Sequence, residues 1–227
     1  MTTLRSGSPS GDSPGDVLCA STEELLAVLD SSRMIWADHD VVWLVATPGN
    51  PDPFVVLGHL ARRDLGVDLG VVLAPGDTRA PSIATKLITT VDVISGGRAQ
   101  LAWATGIGDG AELERLGECW AIQRAMMATG DDAGPTFAGA YFSIAGAVNR
   151  PGPRRDRGVP CCLVLNDAPL DPRLPWDRLD RVVVATGDQT RDGELLADLA
   201  AMANEAGAAQ VALVRGVAGA DLLAAGD

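Results

Sequence analysis

The chain has 227 residues, 47% of them hydrophobic, and a formal net charge of -12. That length suits one domain with a substantial core, and no apolar run reaches the ~20 residues needed to span a bilayer. The acidic excess is spread along the chain, which favours solubility and disfavours a nucleic-acid backbone as partner.

Residues 1–16 are rich in Gly, Ser and Pro and lack the apolar stretch of a secretory signal peptide. A disordered tail is expected there, ahead of a single domain over 17–227. Ser21-Thr22-Glu23-Glu24 has the form of a capping box, with Leu25, Leu26 and Leu29 following on one helical face. Val41 to Val45 reads as a buried strand. Asp52-Pro53 then caps a helix carrying Phe54, Leu57, Leu60 and Ala61. A strand over 67–73 ends at Ala74-Pro75-Gly76. The next helix starts near Pro81, with Ile83, Leu87, Val91 and Ile94 in helical register. A strand over 98–104 runs into Thr105-Gly106-Ile107-Gly108, and a helix from about Ala111 to Thr129 carries Leu113, Leu116, Trp120 and Met127.

The alternation breaks over about 130–158. There Phe137-Ala138-Gly139-Ala140-Tyr141-Phe142 and a run of Pro, Gly and Arg predict a short inserted hairpin followed by a loop. It resumes with strands over 161–165 and 182–185. A helix over 194–205 follows, with Leu195, Leu196, Leu199 and Met202 inward and Gly207 as its cap. A strand over 210–214 and a short helix near Leu222 finish the chain. About seven strands with crossover helices predict an α/β fold with a parallel sheet. Eight-stranded barrels typically need ~250 residues, so a TIM-barrel-like (β/α) barrel, shortened or incomplete at its C-terminus, fits better than a full one. A doubly wound open sheet is the competitor. Its Gly-rich fingerprint should follow the first strand, where Cys19-Ala20-Ser21-Thr22 leads straight into a helix. Gly106-Ile107-Gly108-Asp109-Gly110 lies mid-chain with the wrong spacing.

Residues able to carry chemistry are few. Cys19, Cys119, Cys161 and Cys162 form neither a CxxC pair nor a disulfide framework, and read as buried thiols of a reducing, cytoplasmic compartment. His39 and His59 are the only histidines, too few for a metal site or a Ser-His-Asp triad. His39 is expected ahead of its strand, and His59 on the outer surface of a helix or at a contact between copies of the chain. Arg150, Arg154, Arg155 and Arg157 share a Pro/Gly loop that is either solvated or holds an anion. Parallel folds bind ligands at strand C-termini, here Ala46-Thr47, Leu73-Ala74, Ala104-Thr105-Gly106, Asn166-Asp167 and Thr186-Gly187. Trp43 and Trp103 lie in buried strands, as core residues or as stacking partners for a ligand.

Asp92-Val93-Ile94-Ser95-Gly96-Gly97-Arg98 closes a helix and opens a strand. It resembles the Asp-x-x-Ser-Gly-Gly-Arg signature of the bacterial luciferase-like flavin monooxygenases. Four further stretches, in order between about 21 and 214, resemble the same family. They are Pro81-Ser82-Ile83-Ala84, Leu101-Ala102-Trp103-Ala104-Thr105-Gly106, the helix bearing Glu118, and Phe137-x-Gly139-x-Tyr141-Phe142 with Pro151 and Pro153 after it. The resemblance implies a (β/α) barrel binding FMN or 8-hydroxy-5-deazaflavin at the strand C-termini. It implies an oxidoreductase that performs monooxygenation or hydride transfer on a small-molecule substrate, and a homodimer through helices over about 52–65 and 81–94. The cofactor-binding residues it implies are Thr47, Ala74, Trp103, Thr105, Gly106 and Asn166, with no metal and no assigned catalytic side chain. For Thr105 and Gly106 the alternatives are donors to a phosphate or a plain strand-end turn.

The chain departs from the family at two places. Many members carry an acidic residue or His after the second strand, where this chain has Ala46-Thr47-Pro48-Gly49-Asn50. Asn166-Asp167-Ala168-Pro169 sets a carboxylate where relatives place a hydroxyl or Gly for the phosphate, and that charge repels a phosphate unless it points away. The phosphate cradle is therefore either rebuilt, with the Arg loop as candidate, or lost. The alternative reading is a non-catalytic relative, acting as a dimeric partner subunit or ligand-binding protein. The signature itself falls on the barrel face opposite a ligand site. Asp92 is expected to pair with Arg98 there, while Gly96 and Gly97 permit the turn.

Overall fold

The computed structural model describes residues 15–19, 39–47, 49–74, 77–105, 110–128, 133–166, 178–186, 198, 201 and 211–216. In chain order the elements are β1 (Gly15–Cys19), β2 (His39–Ala46), α1 (Pro53–Leu60), β3 (Asp68–Leu73), α2 (Pro81–Ser95), β4 (Ala99–Thr105), α3 (Gly110–Met127), β5 (Phe137–Ala138), β6 (Ser143–Ile144), β7 (Cys161–Asn166), β8 (Arg181–Thr186) and β9 (Val211–Gly216). The helices expected over 21–29 and near Leu222 lie outside the described residues, as does that over 194–205 except for Asp198 and Ala201, which are helical. β1 begins at Gly15, so the last two residues of the stretch expected to be tail are strand. His39 is the first residue of β2 and does not precede it.

β2, β3, β4, β7 and β8 lie side by side in that order as a parallel sheet, the arrangement that helical crossovers impose. β1 pairs in parallel with β2, and β9 with both β8 and β1. β5 and β6 form the inserted antiparallel hairpin.

Strand alternation sorts the core into two compartments. Val42, Leu44, Leu69, Val71, Leu73, Leu101, Trp103, Leu163 and Leu165 meet Leu57, Leu60, Ile88, Leu116 and Trp120 of the helices. The alternate residues Val41, Trp43, Val45, Val72, Ala102, Ala104, Cys162, Val164 and Val183 pack on one another on the inner face of the curved sheet. Trp43 fills the middle of that inner compartment and is fully buried. It fits because Gly70 on the neighbouring strand has no side chain: a Cβ there would come within 2.1–2.6 Å of three indole carbons.

Helix ends follow local chemistry. The Asp52 carboxylate accepts from Phe54 N at 2.9 Å and Pro53 opens α1, as its sequence suggests. In α2 the apolar register is split. Val91 is buried, while Ile83 and Ile94 are exposed, and the inward face is Ala84, Thr85, Ile88, Thr89, Val91, Asp92 and Ser95. The inward threonines satisfy their hydroxyls on carbonyls one turn back, Thr85 on Pro81 at 2.7 Å and Thr89 on Thr85 at 2.8 Å.

The turn after α2 corrects one expectation: Asp92 and Arg98 do not pair. The Arg98 guanidinium donates to the carbonyls of Ser95 (3.0 Å), Val67 (2.9 Å), Ala61 (3.0 Å) and Arg63 (3.0 Å). It thereby gathers carbonyls where α1 ends and β3 begins, outside the regular helix and strand ladders. The buried Asp92 carboxylate accepts instead from Ala99 N at 3.3 Å and Arg154 N at 2.7 Å. Gly96, with φ of 76°, ends α2 in the left-handed region, which lets Gly97 N reach Asp92 O at 2.8 Å.

Glu118 of α3 holds the inserted hairpin. Its carboxylate accepts from the backbone N–H groups of Ala140 (2.6 Å), Tyr141 (3.0 Å) and Phe142 (2.8 Å). A Cβ at position 139 would lie 2.3–2.4 Å from that carboxylate, so the Gly139 of the Phe-x-Gly-x-Tyr-Phe stretch is the space in which Glu118 sits. Desolvation pushes the Glu118 pKa up, but the three backbone bonds outweigh it and hold the carboxyl below its ordinary value of 4.5.

Three outcomes follow. Gly70→Ala should cost about 1–3 kcal/mol in denaturant unfolding, since Trp43 has no room to retreat. Arg98→Ala should lower stability by about 2–4 kcal/mol, because it strands several carbonyls at once. For Glu118 the folded-state pKa is depressed, so its contribution is complete above the ordinary carboxyl pKa and is lost as pH falls through the lower folded value. The amide resonances of Ala140, Tyr141 and Phe142 should therefore titrate together with a midpoint below 4.5; a midpoint at or above it would contradict the anchor.

Candidate functional site at the strand C-termini

Each strand of the parallel sheet points its C-terminus to one end, and the inner face there is apolar and small. Val45, Val72, Ala104 and Val164 form the bed above Trp43. Alternation carries the same inward side to Thr47 beyond Val45 and to Ala74 beyond Val72, and both are half-buried. Thr47 is tied to its own loop: its hydroxyl oxygen accepts from Asn50 Nδ2, and its carbonyl accepts from Asn50 N at 3.2 Å. Ala74 O accepts from Asp77 N at 2.9 Å. Asn166 is the last residue of β7, backbone-paired with Ala185. Gly106 and Asp167 lie outside the described residues.

Trp103, expected to contact a cofactor, lies elsewhere. Alternation sets it one residue out of phase with the inward Ala102 and Ala104, so it packs between sheet and helices. Its Nε1 donates to Gln123 Oε1 at 3.1 Å. It is a core residue. Thr105 follows it on the same side by alternation and is buried at the strand end. Trp43 is core as well, beneath the bed. His59 is exposed on α1 beside Arg63, at 2.9 Å, away from this end.

The Arg loop is also at the wrong end to rebuild a phosphate cradle. Arg155 Nη2 meets Asp68 Oδ2 at 3.0 Å, its Nε donates to the Gly97 carbonyl, and Arg154 N donates to Asp92. Asp68 opens β3 and Gly97 precedes β4, so these contacts sit at the strand N-termini. Gln100 Nε2 shares the Asp68 carboxylate at 2.9 Å. The loop closes the bottom of the sheet.

One cluster at the C-terminal end has no forerunner in the sequence reading. Arg79 precedes the Pro81 that opens α2. Its Nη2 lies 3.3 Å from Asp52 Oδ2 and 3.2 Å from Asp77 Oδ2, and its guanidinium carbon is 5.2 Å from the centre of the Phe54 ring. Arg79 N also donates to Asp77 Oδ1 at 2.9 Å. The available signal was three charged residues on two loops leaving adjacent strand ends.

No described His, Asp, Glu or Lys lies on the inner face at this end. Among the described residues no group of three or more His, Cys, Asp or Glu could hold a metal, and no helix is long and apolar enough to cross a membrane. All four cysteines are buried. Burial pushes the thiols of Cys119 and Cys161 up to about 12, so they stay protonated and unreactive at neutral pH.

Comparison with solved structures gives the same architecture. A coenzyme F420-dependent tetrahydromethanopterin reductase from Methanopyrus kandleri superposes with a TM-score of 0.63 at 18% identity, covering 89% of this chain and 65% of its own. An F420-dependent secondary alcohol dehydrogenase in complex with an F420-acetone adduct gives 0.64 at 15% identity, covering 86% and 65%. An EDTA monooxygenase from Chelativorans sp. BNC1 gives 0.63 at 17% identity, covering 84% and 53%. At these identities the likeness establishes an α/β fold similar to luciferase-like TIM barrels, and the chain spans less than two thirds of the length of each. No curated protein matches the chain. The model of the luciferase-like monooxygenases matches residues 36–220, and the chain belongs to that family.

Proposed function

We propose that the protein is an oxidoreductase binding FMN or a deazaflavin at the strand C-termini and acting on a small-molecule substrate. One observation carries this reading: an inner bed of small apolar side chains, Val45, Val72, Ala74, Ala104 and Val164, with polar groups only at its rim. Such a bed suits a flat, largely apolar ring, and its described side chains offer no acid or base. When bound, the cofactor supplies the redox chemistry. The chain's part is to hold and shield it. The apolar bed excludes water from beneath the ring, and the rim residues Thr47 and Asn50 present polar atoms to its edge. Asn166 at the end of β7 belongs to the same rim, and Gly106 to the loop proposed to meet the phosphate. Trp103 is no longer among the proposed contacts, and Thr105 serves best as the strand-end residue that delivers that loop.

The same reading takes the sheet as a closed barrel of seven strands, supported by the pairing of β1 with β9. It takes the protein as a cytoplasmic homodimer. Exposed Val55 on α1 and Ile83 and Ile94 on α2 support a dimer through these two packed helices, and the buried thiols fit a reducing compartment. A non-catalytic partner subunit or ligand-binding protein is the second reading. It is favoured by the positions of Arg154 and Arg155, which meet Asp92 and Asp68 towards the strand N-termini, away from the proposed phosphate.

Fluorescence titration with FMN and with the deazaflavin tests the choice. Saturable binding at micromolar levels is expected for one of them, and Thr47→Val should weaken it about fivefold or more while leaving the melting temperature almost unchanged. Absence of saturable binding of either would favour the second reading.

A further inference from the structure

We infer that Arg79 is a positioning residue of the mouth, a strut that fixes the loops after β2 and β3 as one unit and so sets the wall of the ligand site. The inference rests on the proposed ligand site lying at this end. The β2–α1 loop leaves the inner face at Thr47 and reaches α1 through Asp52. The β3–α2 loop leaves at Ala74 and reaches α2 through Asp77 and Arg79. Among the described residues no backbone ladder joins the two loops beyond the last paired residues, Ala46 and Leu73. Among the described residues, the link across the gap is the Arg79 guanidinium, 3.3 Å from Asp52 on one loop and 3.2 Å from Asp77 on its own.

The cluster is built to be stiff. The Asp77 side chain is 8% exposed and that of Arg79 26%, so this pair is shielded from solvent on most sides, while Asp52 across the gap is 42% exposed. The Phe54 ring backs the guanidinium face, which fixes its plane as well as its charge. Asp52 divides its two oxygens between roles: Oδ1 caps α1 through Phe54 N, and Oδ2 faces Arg79. A movement of the α1 entry is thereby coupled to the α2 entry. Arg79 Nη1 is buried without a partner. That orphan donor is expected to cost stability, and a side chain kept in such a position is consistent with selection for geometry over stability.

The test separates the strut from the cap and from global stability. Asp52→Asn keeps an N-cap acceptor of equal quality and removes the charge facing Arg79, while Arg79→Ala removes the strut itself. Amide hydrogen exchange is read at Asn50 and Asp77 on the two loops and at Ala99 on the opposite end, alongside FMN and deazaflavin titration. In both variants, exchange at Asn50 and Asp77 should rise about tenfold with Ala99 unchanged, as expected for a local opening, and cofactor affinity should fall about fivefold or more. Arg79→Lys, which keeps the charge, should recover part of both effects. Unchanged exchange at Asn50 and Asp77, or an equal rise at Ala99, would overturn the strut. Loosened loops with unaltered affinity would overturn its role in the site. If the unaltered protein binds neither cofactor, the proposed function falls with that role, and the exchange data alone decide whether the strut exists.

Discussion

The Arg98 guanidinium is the constraint on which the lower end of the molecule depends. One side chain donates to backbone carbonyls of three places: the end of α1, the start of β3 and the end of α2. Helix ends and strand starts carry carbonyls that no regular ladder satisfies, and burying them unpaired is costly. A planar cation with a fixed fork of donors can serve several at once, which a lysine could not do with the same geometry. Asp92 is its complement in the same turn, accepting the N–H groups that begin β4 and hold the Arg loop. Together the two residues dispose of donors and acceptors without contacting each other.

That lock makes the two ends of the sheet chemically unlike. The N-terminal end is dense with satisfied polar groups, from Arg98 and Asp92 to the Asp68, Gln100 and Arg155 cluster. Trp43 over Gly70 fills the middle. Among the described residues, the C-terminal end has small apolar side chains on its inner face and charge on its loops. Rigidity is thus concentrated where no ligand is expected, and the mouth depends on a smaller device, the bridge from Arg79 to Asp52 and Asp77. A site whose described inner-face residues include no acid or base is suited to chemistry brought by a bound group.

The inserted segment shows how a motif can be structural throughout. Glu118, Gly139 and the N–H groups of residues 140–142 form one object, a carboxylate in a backbone nest with a glycine making room. The loop that follows lays Arg155 on Asp68 at the strand N-termini.

The sequence alone determined the order of elements and the family. Periodicity, the Asp52-Pro53 cap and the Ser-Gly-Gly-Arg turn are local signals, so β2, α1, β3, α2, β4, α3 and the hairpin stand within a few residues of their expected places. Thr47 and Ala74 were also legible at the mouth, because strand ends and alternation follow from pattern. Only the tertiary structure decided what each side chain meets. Trp103 sits one residue out of phase with the inner face, and β4, Ala-Gln-Leu-Ala-Trp-Ala-Thr, is buried on both faces and shows no regular apolar/polar alternation from which its phase could be read. Asp92 and Arg98 looked like partners because they are close in sequence, yet their acceptors and donors come from up to 62 residues away. The Arg loop's end of the sheet and the Arg79 bridge depend likewise on which loops the crossovers bring together, a long-range consequence of chain connectivity that no local pattern encodes.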